Sequence, residues 1–436
     1  MSDDTFALNP DVPEPAVEPA EGGPLYETAN RTQVELTPTD LEALLPPGHA
    51  ARLVWRFVEG LDLRHFYAAI GSREGTGGRP AIDPKILVAL WLYATIDGVG
   101  SAREVDRLCY SHDAYRWLRG GVSVNYHTVS DFRVRHQAAL EDLLTQSITV
   151  LLHRRLITLR RVAQDGTRIR ANAGVRSFRR AQTLRACLQQ ARRQVKTTAR
   201  HADGAGLSRE AAARARVAAE HVTRIEEALA ELPAVAATKV RNRSTIEPRV
   251  STTDPEARVM KMADGGYRPA YNVQFARDAD SDAVVGVAVT NVGSDQPALG
   301  PMLNQIEDRA GRVPDHMLVD GGYTTQVAIT EATLRGVDVV GPVLRRRGRS
   351  DPLAPQPDDS MAMALWRARM ITPEARHQYR QRGAIAERLH ADVRTHRMGG
   401  SSVPVRGLHK VHTWALWVAL TINAMRAMEI VPHLMT

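Results

Sequence analysis

Cysteine is nearly missing from this 436-residue sequence: Cys109 and Cys187 are the only two. Two thiols make neither a disulfide framework nor a four-cysteine zinc site, and they suit a reducing, cytoplasmic setting. Aromatic residues are scarce, at 5 %. No apolar run reaches the roughly 20 residues that a membrane span takes. The longest, WALWVALTINAMRAM, is interrupted by Thr421, Asn423 and Arg426. The first residues lack the apolar stretch of a secretory signal, so none is expected. Glycine and proline, 31 and 24 residues, are near average, which excludes a low-complexity chain. What remains is a globular composition, 43 % hydrophobic, long enough for two or three domains.

Charge is unevenly spread. The formal net charge is +8, yet residues 1–50 hold ten acids and one arginine, leaving +17 for the rest. A basic body behind an acidic, proline-rich leader points to a polyanion, most simply nucleic acid. Arginine far outnumbers lysine, which fits that reading and also fits a plain preference for arginine as the surface cation.

Residues 1–30 carry few large apolar groups and are expected to be disordered. Residues 31–157 read as all-helical, with Thr39 or Asp40 as the first N-cap. Ser101 should cap one helix and Gly120–Gly121 should end it. NYHTVSDFRVRHQAALEDLLTQSITVLLHRRLI reads as one long amphipathic helix. The pattern changes near residue 160. RRVAQDGTRIRA is a strand, AYNVQFARDADSDAVVGVAVTNV a hairpin, DHMLVDGG and VDVVGPV two further strands with helices between and after. That order predicts an α/β fold on a mixed sheet. Residues 176–247 break the order as an Ala- and Arg-rich helical hairpin between the first and second strands. Residues 176–250 hold 16 basic and 7 acidic side chains; either a solvated insert or a nucleic-acid arm accounts for them.

Two of these strands deliver an Asp-Gly pair, at Asp165 and Asp320. Each pair is a turn, or the two carboxylates are halves of one metal site. A third acid is available from the late helix at Glu387, with Tyr379, Arg382, His390 and Arg394 nearby on the same helix. The three- and seven-residue spacings predict that Glu387, His390 and Arg394 share a face. Carboxylates beside arginine and tyrosine suit phosphate chemistry assisted by one or two Mg²⁺ ions.

AQDGTRIRANA, LVDGGYTT and YRQRGAIAERLHADVRTHRM…VPVRGLHKV, together with the helical text from GRPAIDPKILVALWLYATIDGVG to YRWLRGG, resemble the DDE transposases of bacterial insertion sequences. The resemblance is to the branch with a Tyr-Arg-Glu-Lys signature and covers roughly residues 35–428. It implies an RNase H-like mixed five-stranded sheet with flanking helices over 158–430, the helical insertion inside it, and an N-terminal DNA-binding domain over 31–157. It also implies catalysis and metal binding by Asp165, Asp320 and Glu387, with two Mg²⁺ or Mn²⁺ ions. Tyr379 and Arg382 match the signature's Tyr and Arg, and Arg394 stands for its Lys. The spacing from Arg382 to Glu387 is one residue longer than the signature's.

The implied activity is cleavage at element ends and transfer of a 3′-OH into target DNA, by at least a dimer. An inactive DNA-binding descendant and a simple metal-dependent DNA nuclease are the alternatives. DNA or phosphate contacts are further expected from His390, from Arg345, Arg346 and Arg347 after the last strand, and from His127 and Arg133 where a helix-turn-helix would meet a groove. Asp254 reads as a turn or substrate-loop residue, residues 264–267 as a loop, and Trp414 and Trp417 as core.

Overall fold

The computed structural model describes residues 38, 40–72, 80–202, 209–241, 243–343, 351–354, 356–397 and 400–434. The acidic leader, 1–30, lies outside them. Seven helices come first: α1 (Ala50–Glu59), α2 (Arg64–Ala68), α3 (Pro84–Ile96), α4 (Ala102–Ser111), α5 (Asp113–Arg119), α6 (Tyr126–Arg135) and α7 (Gln137–His153). Their ends follow local chemistry. Asp83 accepts from the Lys85 N–H with Pro84 at the first helical position, and Ser101 accepts from Glu104. Gly120 ends α5 at φ 54°, a left-handed conformation that favours glycine.

Three expectations in this region need correction. The helix expected from Ser101 to Gly120–Gly121 is two, α4 and α5, because His112 leaves helical geometry at φ −129°, ψ 126° and caps the second. The first α-helix begins at Ala50, capped by His49 rather than by Thr39 or Asp40, because Pro46, Pro47 and Gly48 stand in between. The long helix expected from residue 125 is two helices. His136 leaves helical geometry at φ −112°, ψ 43°, and its ring sits against Phe66 and Phe132.

Strand β1 (Arg161–Arg170) follows. Then come β2 (Phe178–Arg179), the hairpin helices α8 (Ala181–Ala202) and α9 (Arg209–Arg241), β3 (Val250–Ser251), β4 (Arg258–Lys261), β5 (Tyr267–Asp278) and β6 (Val284–Thr290). Helix α10 (Leu299–Ala310), β7 (His316–Leu318), α11 (Gln326–Leu334) and β8 (Asp338–Val340) lead to α12 (Met361–Ile371), α13 (Pro373–Asp392) and α14 (Leu408–Leu434). β1 pairs antiparallel with β5 and parallel with β7, which pairs parallel with β8. β6 and β4 share the far edge of β5, both antiparallel.

The main sheet is therefore mixed, and it has six strands where five were expected, the short β4 being the addition. β2 and β3 form a separate two-stranded ribbon at the foot of the hairpin. Helix α12 was not anticipated; Ser360 caps it and Trp366 buries it.

One contiguous core joins α1–α7, the sheet and α10–α14, with Trp414 and Trp417 inside it as expected. The polar residues that interrupt the last apolar run are core anchors. Asn423 accepts from the Val284 N–H and donates to the Val284 carbonyl and to Ser147, tying α14 to β6 and α7. No helix among the described residues is long and apolar enough to cross a membrane. The hairpin has its own small core, centred on Leu184, Ile225 and Ala228.

Candidate active site

Asp165 lies in the middle of β1, not in a turn. The strand runs on through Gly166 because that residue has no side chain: a Cβ there would come within 2.2 Å of Gln274 Nε2 and 2.6 Å of Asp295 Oδ1. Asp320 follows β7 and does form a turn, its Oδ1 accepting from the Gly322 N–H at 2.7 Å. The parallel pairing of β1 with β7 brings the two carboxylates to one edge of the sheet.

Helix α13 crosses this edge and supplies Arg382. Its Nη2 lies 2.8 Å from Asp165 Oδ1 and 3.9 Å from Asp320 Oδ2. The buried His390, two turns on, places Nδ1 3.7 Å from Asp165 Oδ2.

Burial pushes the Asp165 carboxyl up to about 6; Arg382 opposes the rise, and Asp320 and Asp295 add to it. Burial, helped by Arg394, Arg382 and Arg277, pushes the His390 imidazole down to about 4, so it stays neutral near neutral pH. Its Nε2 is buried without a hydrogen-bond partner. Tyr323 is fully buried and donates to Gln274 Oε1. Burial raises its phenol, as do Asp295, Asp165 and Asp320.

Asp295 escaped the sequence reading. It sits in the loop before α10. Its Oδ1 accepts from Asn272 at 2.6 Å and from Gln274 at 2.7 Å, and its Oδ2 lies 3.3 Å from Arg168. The available signal was only a serine-aspartate pair ahead of a helix, which ordinarily means a cap.

Glu387 is not gathered in. It is exposed, and its side chain makes no hydrogen bond or ion pair among the described residues. The expected shared face of Glu387, His390 and Arg394 does not form: His390 is buried, whereas Glu387 and Arg394 are exposed. A regular α-helix turns about 100° per residue, so a five-residue step sets Glu387 some 140° from Arg382. Among the described residues no three of His, Cys, Asp and Glu stand close enough to hold a metal ion. The chemistry of the donors nevertheless fits a hard divalent cation: two aspartates already answer one cationic group, Arg382, and one of them resists ionisation when buried among its neighbours.

The other expected residues divide. Tyr379 is half-buried against the main core, and Arg394 donates from Nε to the His390 carbonyl at 3.1 Å. His127 is exposed beside Tyr126. Arg133 is largely buried, donates to the Gly100 carbonyl at 2.5 Å and lies over the Trp91 ring at 4.6 Å. Arg345, Arg346 and Arg347 lie outside the described residues. Asp254 opens the turn between β3 and β4, as expected, its carbonyl accepting from the Ala257 N–H at 3.2 Å; its side chain is fully buried, accepting from the Tyr271 hydroxyl at 2.7 Å and from the Gly407 N–H at 3.2 Å, which makes it an anchor as well. Residues 264–267 form the turn between β4 and β5.

Two family descriptions match the chain: "Transposase domain (DUF772)" over residues 39–135, which spans α1–α6, and "Transposase DDE domain" over residues 237–424. Asp320, Asp295 and Glu387 fall in the second, and Asp165 lies between the two. No curated protein and no solved structure matches significantly. The matched DDE domain, with Asp165 in β1 and Asp320 after β7 beneath an arginine-bearing helix, marks an enzyme of the polynucleotidyl transferase and endonuclease type. The chain is a member of the DDE transposases of insertion sequences, which act on DNA.

Proposed function

We propose that this transposase cuts DNA at the ends of its own element and joins the freed 3′-OH to target DNA, using Asp165, Asp320 and Glu387. Water attacks the phosphodiester at an element end. The bond from phosphorus to the 3′ oxygen breaks, leaving a 3′-OH on the element and a 5′-phosphate on the flank. That 3′-OH then attacks a target phosphodiester, forms a new phosphorus–oxygen bond and releases a target 3′-OH. The reading takes 158–430 as an RNase H-like catalytic domain, with the insertion 176–247 within it and 31–157 as a DNA-binding domain. Support comes from the placement of the acids: Asp165 on the first main strand, Asp320 after β7, Glu387 on a helix beyond β8.

The observation that carries the proposal is the position of Arg382 between Asp165 and Asp320. Two carboxylates from distant parts of the chain converge on one positive charge. Asp165, Asp320 and Glu387 would hold two Mg²⁺ or Mn²⁺ ions, which when bound lower the charge on phosphate oxygens and favour ionisation of the attacking hydroxyl. Arg382, displaced from the aspartates, turns to the phosphate; Arg394 and Tyr379 hold flanking phosphates. His390, neutral and buried, keeps Asp165 oriented.

Glu387 joins when α13 turns about its axis. A π-helical turn spaces facing residues five apart, which would set Arg382 and Glu387 on one side. The five residues Val393–Arg397 at the end of α13 already adopt π geometry. Pairing two element ends takes at least two copies of the chain.

The test is cutting and joining of DNA carrying the element's flanking inverted repeats. Asp165→Asn and Asp320→Asn each lower both reactions by about a hundredfold or more. Cutting that survives in both variants defeats the proposal. Cutting without any joining leaves a nuclease.

A further inference from the structure

Beside the acid pair the structure has a groove of about 1740 Å³, walled by β1, the β4–β5 hairpin, α9, α11 and the end of α13. Small-molecule pockets run to about 1,000 Å³, so this one suits a polymer. Gly166, next to Asp165 in the chain, and His390, 3.7 Å from the Asp165 carboxylate, both line it, as do Lys239 and Arg241 of the helical hairpin.

Two features distinguish its walls. Lys239, Arg241, Arg249, Lys261 and Arg394 all line it, and none pairs with a carboxylate among the described residues. The groove's own acids are already neutralised: Glu247 by Arg180 at 3.0 Å and Glu331 by Arg335 at 2.9 Å. Between the cations the lining is apolar and exposed, with Tyr267 64 %, Ile246 66 % and Val327 76 % accessible. A duplex offers its phosphates but keeps its bases stacked inside. Free cations alternating with an exposed aromatic and aliphatic surface match a strand whose bases are unpaired.

We infer that this groove holds an unpaired stretch of DNA strand leading to the Asp165 site, with its phosphates on Lys239, Arg241 and Lys261 and a base on Tyr267. The inference rests on the proposed DNA-cutting function and adds the form in which the strand arrives. The sheet and the basic insert then act as two jaws on one strand, and the insert has a task beyond general attraction.

The test is fluorescence anisotropy of the full chain in EDTA, with a labelled oligothymidylate of about 12 nucleotides, within the range known for such grooves, and a blunt duplex of equal length. EDTA removes cutting, so the result is independent of catalysis.

The triple variant Lys239→Ala/Arg241→Ala/Lys261→Ala should bind the single strand at least about tenfold more weakly. Its slope of log affinity against log salt should flatten by about 2, at roughly 0.7 per cation lost. Tyr267→Ala should also weaken binding by about tenfold, with the slope unchanged. Affinity for the blunt duplex should hold in both. All these side chains are on the surface, so melting temperatures should not move. Single-strand binding that is indifferent to both variants overturns the inference, and so does an equal loss on the duplex, which would make the groove a duplex seat.

Discussion

Arg382 stands 2.8 Å from Asp165, at the place where a divalent cation would draw on that same carboxylate. An arginine there offsets the repulsion between the largely buried Asp165 and the more exposed Asp320. Loading a metal must therefore dislodge the guanidinium. Replacing Arg382 by Gln should tighten Mn²⁺ binding at pH 8 by about tenfold, because one close positive charge no longer competes for the carboxylates, while strand cutting falls. Calorimetric titration of Mn²⁺ decides it, and weaker binding in the variant would rule out the competition.

The same site sets a pH dependence of stability. Asp165 has its carboxyl raised from 3.8 to about 6 by burial, so its ionised form is disfavoured in the fold. Its contribution to stability is greatest below pH 3.8 and declines as the pH climbs to about 6. The loss is up to about 3 kcal/mol; the side chain is 21 % exposed, so solvent relieves part of it. His390 runs the other way. Its imidazole is pushed from 6.5 down to about 4, so stability is lost as the pH falls through that window. The two nearly cancel in the wild type. Asp165→Asn should leave the His390 slope bare, with melting temperature dropping as pH falls from 6.5 to 4. His390→Phe should leave the opposite slope. Thermal melts across pH 4–8 give both, and parallel curves for all three proteins would refute the assignment.

Divalent metal should follow the same ionisation. At pH 8, Mg²⁺ at a hundred times its dissociation constant should stabilise the fold by about 2.7 kcal/mol. Near pH 5 the protonated Asp165 competes, and the gain should shrink. A gain independent of pH, or one retained in Asp165→Asn, places the metal elsewhere.

Glu387 offers a sharp separation of structure from activity. It is exposed, with no side-chain partner among the described residues, so Glu387→Gln should change stability by less than about 0.5 kcal/mol. Cutting should nevertheless be lost, because the carboxylate is needed once α13 turns. An active Glu387→Gln variant would remove Glu387 from the mechanism and leave the Asp165–Asp320 pair to find another partner.

The sequence shows some of this site plainly and hides the rest for physical reasons. Asp165 and Asp320 stand out because short apolar strands precede them, and strand periodicity is local information. Arg382 stands out on a strongly patterned helix. Asp295 does not, because what brings it under Gly166 is the path of a loop, and its partners Asn272 and Gln274 lie on another strand. The burial of Arg133 is equally hidden: a carbonyl from Gly100 and the face of Trp91 replace water, and neither is a sequence neighbour. The break at His136 depends on Phe66, seventy residues away. The two-residue strands β2 and β3 carry too few residues to show any period. Helix α12 is short, and only its Ser360 cap announces it.

The helical hairpin should be separable from the rest. Its apolar residues form their own cluster, apart from the core shared by α1–α7, the sheet and α10–α14. At its base, β2 and β3 pair Arg179 with Val250, so the chain on either side of the hairpin is already held together. Replacing residues 181–241 by a short Gly-Ser linker should therefore leave a folded protein. The main cost is the Arg258–Glu231 ion pair and the packing of Val250. An ion pair of this partly exposed kind is worth at most about 1 kcal/mol, so the loss in melting temperature should be a few degrees. DNA affinity should fall and its salt dependence flatten, since Lys239 and Arg241 leave with the insert. Circular dichroism and anisotropy on the excised protein give the two readings. Collapse of the whole fold would show that the hairpin is part of the main core's support, and undiminished DNA binding would show that the insert's charge serves the surface alone.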